Sequence, residues 1–508
     1  MTREVLLDGA SLTIADVYRV AVERDHVALE AAARSRLAAA RRTVDAVLLR
    51  AEPVYGVTTG FGKLSEVAIP PDRLAELQVN LVRSHAVGVG PHLPEREVRA
   101  MMLLRANVIA KGFSGARADL VDLLAGMLNA GLYPPVPEQG SVGASGDLAP
   151  LAHLALSLIG EGVLRHDGTE GPACDLLRSA RLEPVVLQPK EGITLINGTQ
   201  AHTAVAALAC HDAQRLWLVA HVAGAMSLEG LLGTPAAFDA RIQEARGQVG
   251  QQESAALLRL LLDDSEIRES HRHGDPRVQD AYALRCMPQV HGPVRDALRF
   301  AEGLVSRELN AATDNPLVFG NGDIVSGGNF HGQAVAMALD VMAIVLTNLA
   351  TMSERRIDRL VHPDLNQGLP PFLSPDAGVN SGLMMAQVTA ASLASECKLL
   401  AHPASVDTIP TDGNKEDVVP MAMGAAWKLR RIVENVCNVL AIETMCGAQA
   451  VEYRAPLRPA RRVSDAVRVV RRHVAPLGRD RVLHGDIAAL STAIRCGEFD
   501  AILPEALP

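Results

Sequence analysis

Aromatic residues are scarce in this chain: Phe, Trp and Tyr together make up 3% of its 508 residues. A core with so few rings has to be filled by Leu, Val, Ala, Ile and Met. A filling rich in Ala and Leu suits closely packed helices better than sheets. An excess of basic charge is also missing, since the formal net charge is -9, which argues against a general nucleic-acid binder with a basic face. The seven cysteines (Cys174, Cys210, Cys286, Cys397, Cys437, Cys446 and Cys496) are odd in number, scattered and never in a C-x-x-C arrangement. That pattern suggests neither a disulfide framework nor a zinc ribbon, and reduced thiols in the cytoplasm are the natural reading. No apolar run of membrane length is uninterrupted: the longest, Ala334 to Met352, contains Asp340, Thr347 and Asn348, so it reads as a buried core helix. The opening MTREVLLDGASL carries acidic groups and lacks an apolar h-region, so no secretory signal is expected.

What is present is helical periodicity. Thr13 followed by Asp16 reads as a helix cap. Apolar residues then recur at helical spacing over Glu23–Leu49, Leu74–Val87, Glu95–Ala110, Ala118–Ala130, Ala149–Gly160 and Gln200–Leu232. The same spacing continues over Pro293–Leu309, Gln333–Leu360, Ser381–Ala401 and Val418–Met445. Long apolar helices without a coiled-coil heptad predict an all-α fold, a bundle whose central members are covered on all sides. No linker, repeat or low-complexity tract divides the chain, so residues 1–508 read as a single intertwined α-helical unit. Within it, a loop-rich N-terminal region reaches to about residue 200 and a helix bundle follows. Gly and Pro concentrate in four connections, Tyr55–Gly62, Pro134–Gly146, Asn310–Gly332 and Asp364–Gly378. Binding groups often sit on such loops.

One of these connections carries unusual chemistry. Gly140 to His153 reads GSVGASGDLAPLAH, which places Ala144, Ser145 and Gly146 in a small-residue turn directly before a helix. A bare Ala-Ser-Gly would be a flexible loop ending in an Asp147 cap. Taken whole, the string closely resembles the signature of the histidine and phenylalanine ammonia-lyase family, in which this tripeptide cyclises into a methylidene-imidazolone, MIO. The residue types fit. The Gly146 nitrogen must approach the Ala144 carbonyl carbon, a tight geometry that a residue without Cβ reaches at least steric cost. Ser145 supplies a leaving hydroxyl. Loss of water from ring closure and from the serine leaves a conjugated methylene, an electrophile that no ordinary side chain offers.

The resemblance runs from about Val54 to about Ala450 and implies the rest of a site, a homotetramer with shared active sites, and no metal or pyridoxal phosphate. In YGVTTGFG, Tyr55 matches the catalytic base; standing alone it would be a helix-end aromatic, and the role needs a site that favours phenolate. A phosphate-loop reading of these glycines fails, because Leu64 stands where Ser or Thr is needed and Val57 where Gly is needed. In LVRSHAVGVGP, Ser84 and His85 match the selectivity position of the histidine enzymes, where a neutral imidazole can hydrogen-bond a substrate imidazole. In LINGTQ, Asn197 matches the residue that helps hold the substrate carboxylate and the MIO carbonyl. In VQDAYALRCMPQVHG, Gln279, Tyr282 and Arg285 match MIO support, active-site phenol and carboxylate clamp; Tyr282 and Arg285, three apart, would share a helical face. Phe330, in ATDNPLVFGNGDIVSGGNFHGQ, matches the ring that packs beside the MIO. His271 and His273, in HRHGDP, have no partners at metal-ligand spacing and read as a surface turn.

The main departure lies in NKEDVVPM. The histidine enzymes look like NQEDHVSM there, so Lys415, Val418 and Pro420 differ while Glu416, matched to imidazole contact, and Asp417 remain. A cation beside Glu416 would pair with it and alter its hydrogen bonding. The resemblance therefore implies elimination of ammonia from L-histidine to give trans-urocanate. The alternatives it leaves are a lyase acting on tyrosine or phenylalanine, a 2,3-aminomutase using the same electrophile, and a catalytically silent relative kept for binding.

Overall fold

Three apolar segments form helices of 31, 29 and 31 residues, Gln200–Gly230, Gln333–Val361 and Ala422–Glu452. The computed structural model describes residues 4–50 and 53–503; the first three residues of the MTREVLLDGASL segment lie outside them. About 59% of the chain is helical, and the strands form four separate two-stranded pairs among the described residues. The all-α expectation holds. Thr13 and Asp16 form the reciprocal capping box that opens Ile14–Tyr18.

Some element boundaries differ from the sequence expectation. Residues 26–29 do not begin a helix; His26–Leu29 pairs in parallel with Glu4–Leu7, and the helix starts at Ala31. Pro293 does not open its helix but lies inside Met287–Glu308. The last long helix begins at Ala422, because Pro420 pushes the residue before it away from helical backbone and Met421 takes a φ of 51°.

The chain divides into two compact units, Met1–His211 with Ala301–Asp340 and Pro403–Trp427, and Asp212–Phe300 with Val341–His402 and Lys428–Pro508. Several of the division points fall inside helices. In the first unit the helix Glu95–Ala110 is buried along almost its whole length. Asp340, at the start of the apolar Gln333–Val361 helix, is buried and accepts the Ser405 N–H at 2.7 Å. That helix is long and apolar enough to cross a membrane, yet 56% of its apolar window is covered by protein.

In the second unit Glu443 is fully buried. One of its oxygens accepts from Ser227 at 2.7 Å and Arg356 Nε at 2.5 Å, the other from Ser353 at 2.5 Å and Arg356 Nη2 at 2.9 Å. Four donors give a desolvated carboxylate the partners it loses from water. Glu229 is less well served. Burial pushes its carboxyl up from 4.5 to about 7, against hydrogen bonds from Ser265 and the Ala460 N–H. Because the folded-state value lies above the unfolded one, its contribution to stability is complete below about pH 4.5 and is lost as the pH rises through about 7. In chemical denaturation Glu229 should therefore contribute a fall of roughly 3 kcal/mol across that window, set against the rising contribution of the buried His221. Glu229→Gln should flatten the fall, and an unchanged pH slope in the variant would contradict the assignment.

Candidate active site

Gly140 to Asp147 is a turn between the strand Pro137–Gln139 and the helix Leu148–Leu158. Ala144, Gly146 and Asp147 are buried, while Ser145 is half-buried. Gly146 has a φ of 70° and forms a parallel bridge with Gly198. A Cβ on Gly146 would sit 2.1 Å from the Gly198 carbonyl oxygen, and one on Gly198 would sit 2.8 Å from Thr313 Oγ1. The two backbones can therefore press together only with glycine at 146, whereas a side chain at 198 would crowd the Gln200, Thr313 and Arg105 side chains. The Gly198 carbonyl also accepts the Asp147 N–H at 2.7 Å.

Asp147 does not cap the helix that follows it with its side chain. Its carboxylate serves the N-terminus of Gln200–Gly230, accepting the Ala201 and His202 N–H groups at 2.9 Å each, and takes the Ser141 hydroxyl at 2.7 Å. His202 Nδ1 lies 2.8 Å away. Burial pushes this carboxyl up, but His202 and the hydrogen bonds from His202 and Ser141 hold it below the usual carboxylate value. The turn is thereby fixed at both ends of the tripeptide.

Asn197 closes the short helix Glu191–Ile196 and is buried. Its Nδ2 donates to the Ser145 carbonyl at 2.8 Å. Its own carbonyl accepts from Arg105 at 2.9 Å, and its buried Oδ1 has no partner among the described residues. The loop carrying Phe330 is tied to the same turn, since Gly332 N–H donates to the Gly143 carbonyl at 3.0 Å.

Tyr55 is half-buried, edge-on to Phe61 with ring centroids 6.4 Å apart. The Gly62 N–H donates to its hydroxyl at 3.4 Å, and Lys63 N–H donates to Asp412 at 3.3 Å. This brings the Tyr55 loop onto the segment bearing Glu416. Burial pushes the Tyr55 hydroxyl above the usual phenol value, Asp412 and Glu416 push it the same way, and only the Gly62 N–H opposes them. A site that by itself favours phenolate is therefore not what surrounds this ring.

His85 ends the helix Leu74–His85. Its Nδ1 is 2.9 Å from the Leu81 carbonyl and 3.0 Å from Ser84 Oγ. Because a carbonyl can only accept, Nδ1 carries the hydrogen. Burial lowers the ring's proton affinity, against Asp412 and Glu416, so the ring is neutral near pH 7 and Nε2 is left as an acceptor. Glu416 accepts from the Thr411 hydroxyl. Lys415 is exposed and, among the described residues, forms no ion pair with it, so the pairing expected at this departure is replaced by Thr411.

The first unit thus gathers Tyr55, His85, Ala144–Gly146, Asn197, Phe330 and Glu416. Gln279, Tyr282 and Arg285 belong to the second unit, where Gln279 and Tyr282 are exposed, Tyr282 at 69%. The short helix Tyr282–Arg285 does place the Arg285 guanidinium over the Tyr282 ring, 4.7 Å from its centroid. His271 spends its ring on the backbone carbonyls of Ile267 and Gly233, at 2.9 and 3.3 Å. Sequence reasoning missed Arg105 and Asp412 and took Asp147 for a simple cap. Only Asp412, in an Asp-Gly turn beside Glu416, left a local signal.

Similarity to known proteins makes the chain an enzyme of the carbon–nitrogen lyase class. Residues 12–472 match the family described as aromatic amino acid lyase, and the chain belongs to that family. It is 56% identical over 505 residues to a histidine ammonia-lyase from Anaeromyxobacter sp. (strain K), covering 98% of this chain and 99% of that one. The crystal structure of histidine ammonia-lyase from Trypanosoma cruzi matches with a TM-score of 0.91 at 41% identity, covering 99% of this chain and 96% of that one. Tyrosine aminomutase from Streptomyces globisporus matches with a TM-score of 0.94 at 37% identity, covering 99% of this chain and 100% of that one.

Proposed function

We propose that the protein eliminates ammonia from L-histidine to give trans-urocanate in the cytoplasm, using an MIO formed from Ala144, Ser145 and Gly146. The observation that carries this reading is the tripeptide turn itself: Gly146 pressed on Gly198, and the Ser145 carbonyl held by Asn197 Nδ2. The residues present fit the group, because Gly146 allows the backbone to close and Asn197 Nδ2 donates to the Ser145 carbonyl, which the ring retains. Once formed, the MIO supplies the electrophile that makes an amino group a better leaving group.

The chain's own residues do the rest. Tyr55 takes the β proton of the substrate. His85 Nε2 and the Glu416 carboxylate are acceptors: either suits the single N–H of a neutral imidazole, the pair suits an imidazolium, and a phenyl ring is left without a partner. Gln279, Tyr282 and Arg285 keep the roles given by the resemblance, as MIO support, active-site phenol and carboxylate clamp. They act in a homotetramer whose sites draw on more than one copy. Phe330 packs beside the MIO.

Purified protein incubated with L-histidine should show the rising absorbance of urocanate with matching ammonia. Silence with histidine and turnover of tyrosine or phenylalanine would move the assignment to a sister substrate. A second reading, a 2,3-aminomutase, draws on the likeness to tyrosine aminomutase; release of a β-amino acid with little free ammonia would establish it. His85→Phe should lower kcat/KM for histidine by about tenfold to a hundredfold, chiefly through KM, and leave the chain two waters lighter than its encoded sequence. Unaltered histidine kinetics in that variant would remove His85 from the substrate site.

A further inference from the structure

Arg105 and Asp314 have no part in the chemistry above, yet they are fully buried and joined, Arg105 Nη2 to Asp314 Oδ1. Arg105 comes from the helix Glu95–Ala110 and Asp314 from the loop before Leu317–Val318. Lys190, also fully buried, is their electrostatic neighbour and is pushed down to about 8 by burial. A buried ion pair is weak evidence for stability, because removing both charges from water offsets much of their attraction. What this pair secures is position. Arg105 Nη1 donates to the Asn197 carbonyl at 2.9 Å, and Asn197 Nδ2 donates to the Ser145 carbonyl at 2.8 Å. The neighbouring Thr313 takes the Gln200 amide at 2.9 Å, and Thr313 and Arg105 both stand against Gly198.

We propose that the Arg105–Asp314 pair positions the Asn197–Gly198 peptide for maturation of the tripeptide, so that Asn197 meets the Ser145 carbonyl while residues 144–146 close. The proposal rests on the reading that this tripeptide cyclises. In that reaction the Gly146 nitrogen bonds to the Ala144 carbonyl carbon. The oxygen of that carbon leaves as water with the hydrogens of the Gly146 and Ser145 amides, which leaves a C=N bond to the Ser145 nitrogen. Ser145 then loses its Cα hydrogen and its hydroxyl as a second water. As the Cα hydrogen departs, negative charge builds on the Ser145 carbonyl oxygen, where the Asn197 amide donates. Arg105 and Asp314 touch none of the reacting atoms and act through Asn197, which makes them positioning residues.

Arg105→Lys separates this role from bulk stability. It keeps the charge balance around Asp314 and Lys190, but a single ammonium lacks the planar fork that serves Asp314 and Asn197 together. Freshly purified wild type and variant are compared by intact mass, thermal midpoint and size. The expected result is a folded variant whose maturation is slowed roughly 10²-fold, so that most chains have lost one water or none while the wild type has lost two. A folded variant with the full two-water deficit overturns the proposal. Should Arg105→Lys fail to fold, Asp314→Asn is read in the same way; failure of both to fold makes the pair a requirement of the fold and also overturns it. A wild type without the deficit would sink the cyclisation reading itself, a result that the control reports separately.

Discussion

Ser145→Ala should fold as the wild type does and release ammonia from histidine on the order of 10⁴-fold more slowly. The position is half-buried and the neighbouring Ala144 already shows that a methyl side chain is accommodated in this turn. Alanine keeps the backbone, the Asn197 bond to the residue-145 carbonyl and the Gly146–Gly198 contact, all of which depend on main chain or on other residues. It lacks only the hydroxyl whose departure creates the methylene. Without that electrophile the substrate must expel a poor leaving group unaided. Ammonia release, intact mass and thermal midpoint measured together check the expectation. More than about a tenth of wild-type activity in a homogeneous Ser145→Ala preparation would show that the serine hydroxyl is not the source of the catalytic group.

The second large effect concerns the base. Tyr55→Phe should lower kcat by about 10²- to 10⁴-fold, with KM close to wild type and the two-water mass deficit intact, because the phenol acts on the substrate and not in maturation. The pH dependence has a definite sign. Burial, Asp412 and Glu416 place the Tyr55 hydroxyl above the ordinary phenol value, and below that value the phenolate fraction grows as pH rises, by at most about tenfold per unit. Wild-type kcat/KM should therefore climb toward alkaline pH, and the climb should vanish from the residual activity of Tyr55→Phe. Asp412→Asn removes one of the carboxylates that oppose phenolate and should move the climb to lower pH. A wild-type profile flat from neutral to alkaline pH would assign proton removal to another group.

Long helices were legible because a single pattern persists over many turns. Glu95–Ala110 agrees at both ends, and Gln200–Gly230 and Gln333–Val361 agree within two residues. Arg461–His473 escaped notice because its apolar stripe is narrow and six of its residues are arginine or histidine. The His26–Leu29 strand escaped because its partner, Glu4–Leu7, lies far upstream and pairs with it in parallel. In the site, the residues that carry chemistry sit in compact strings, Tyr55 in its glycine loop and Ala144–Gly146 before a helix, so each announced itself. Their supports did not. Arg105 and Asp314 meet across 209 positions of chain, and no spacing rule links a helix interior to a loop so distant. Tyr55's environment was likewise invisible, since it depends on Asp412 arriving from another segment. Local sequence thus revealed reacting groups, and tertiary packing decided how they are tuned.

The most direct test is the mass of the untreated wild-type chain, measured whole and then as the fragment containing residues 140–153. The account predicts a molecule lighter than its encoded sequence by two waters, with the entire deficit confined to Ala144, Ser145 and Gly146. An active preparation whose chain retains its full encoded mass would contradict it.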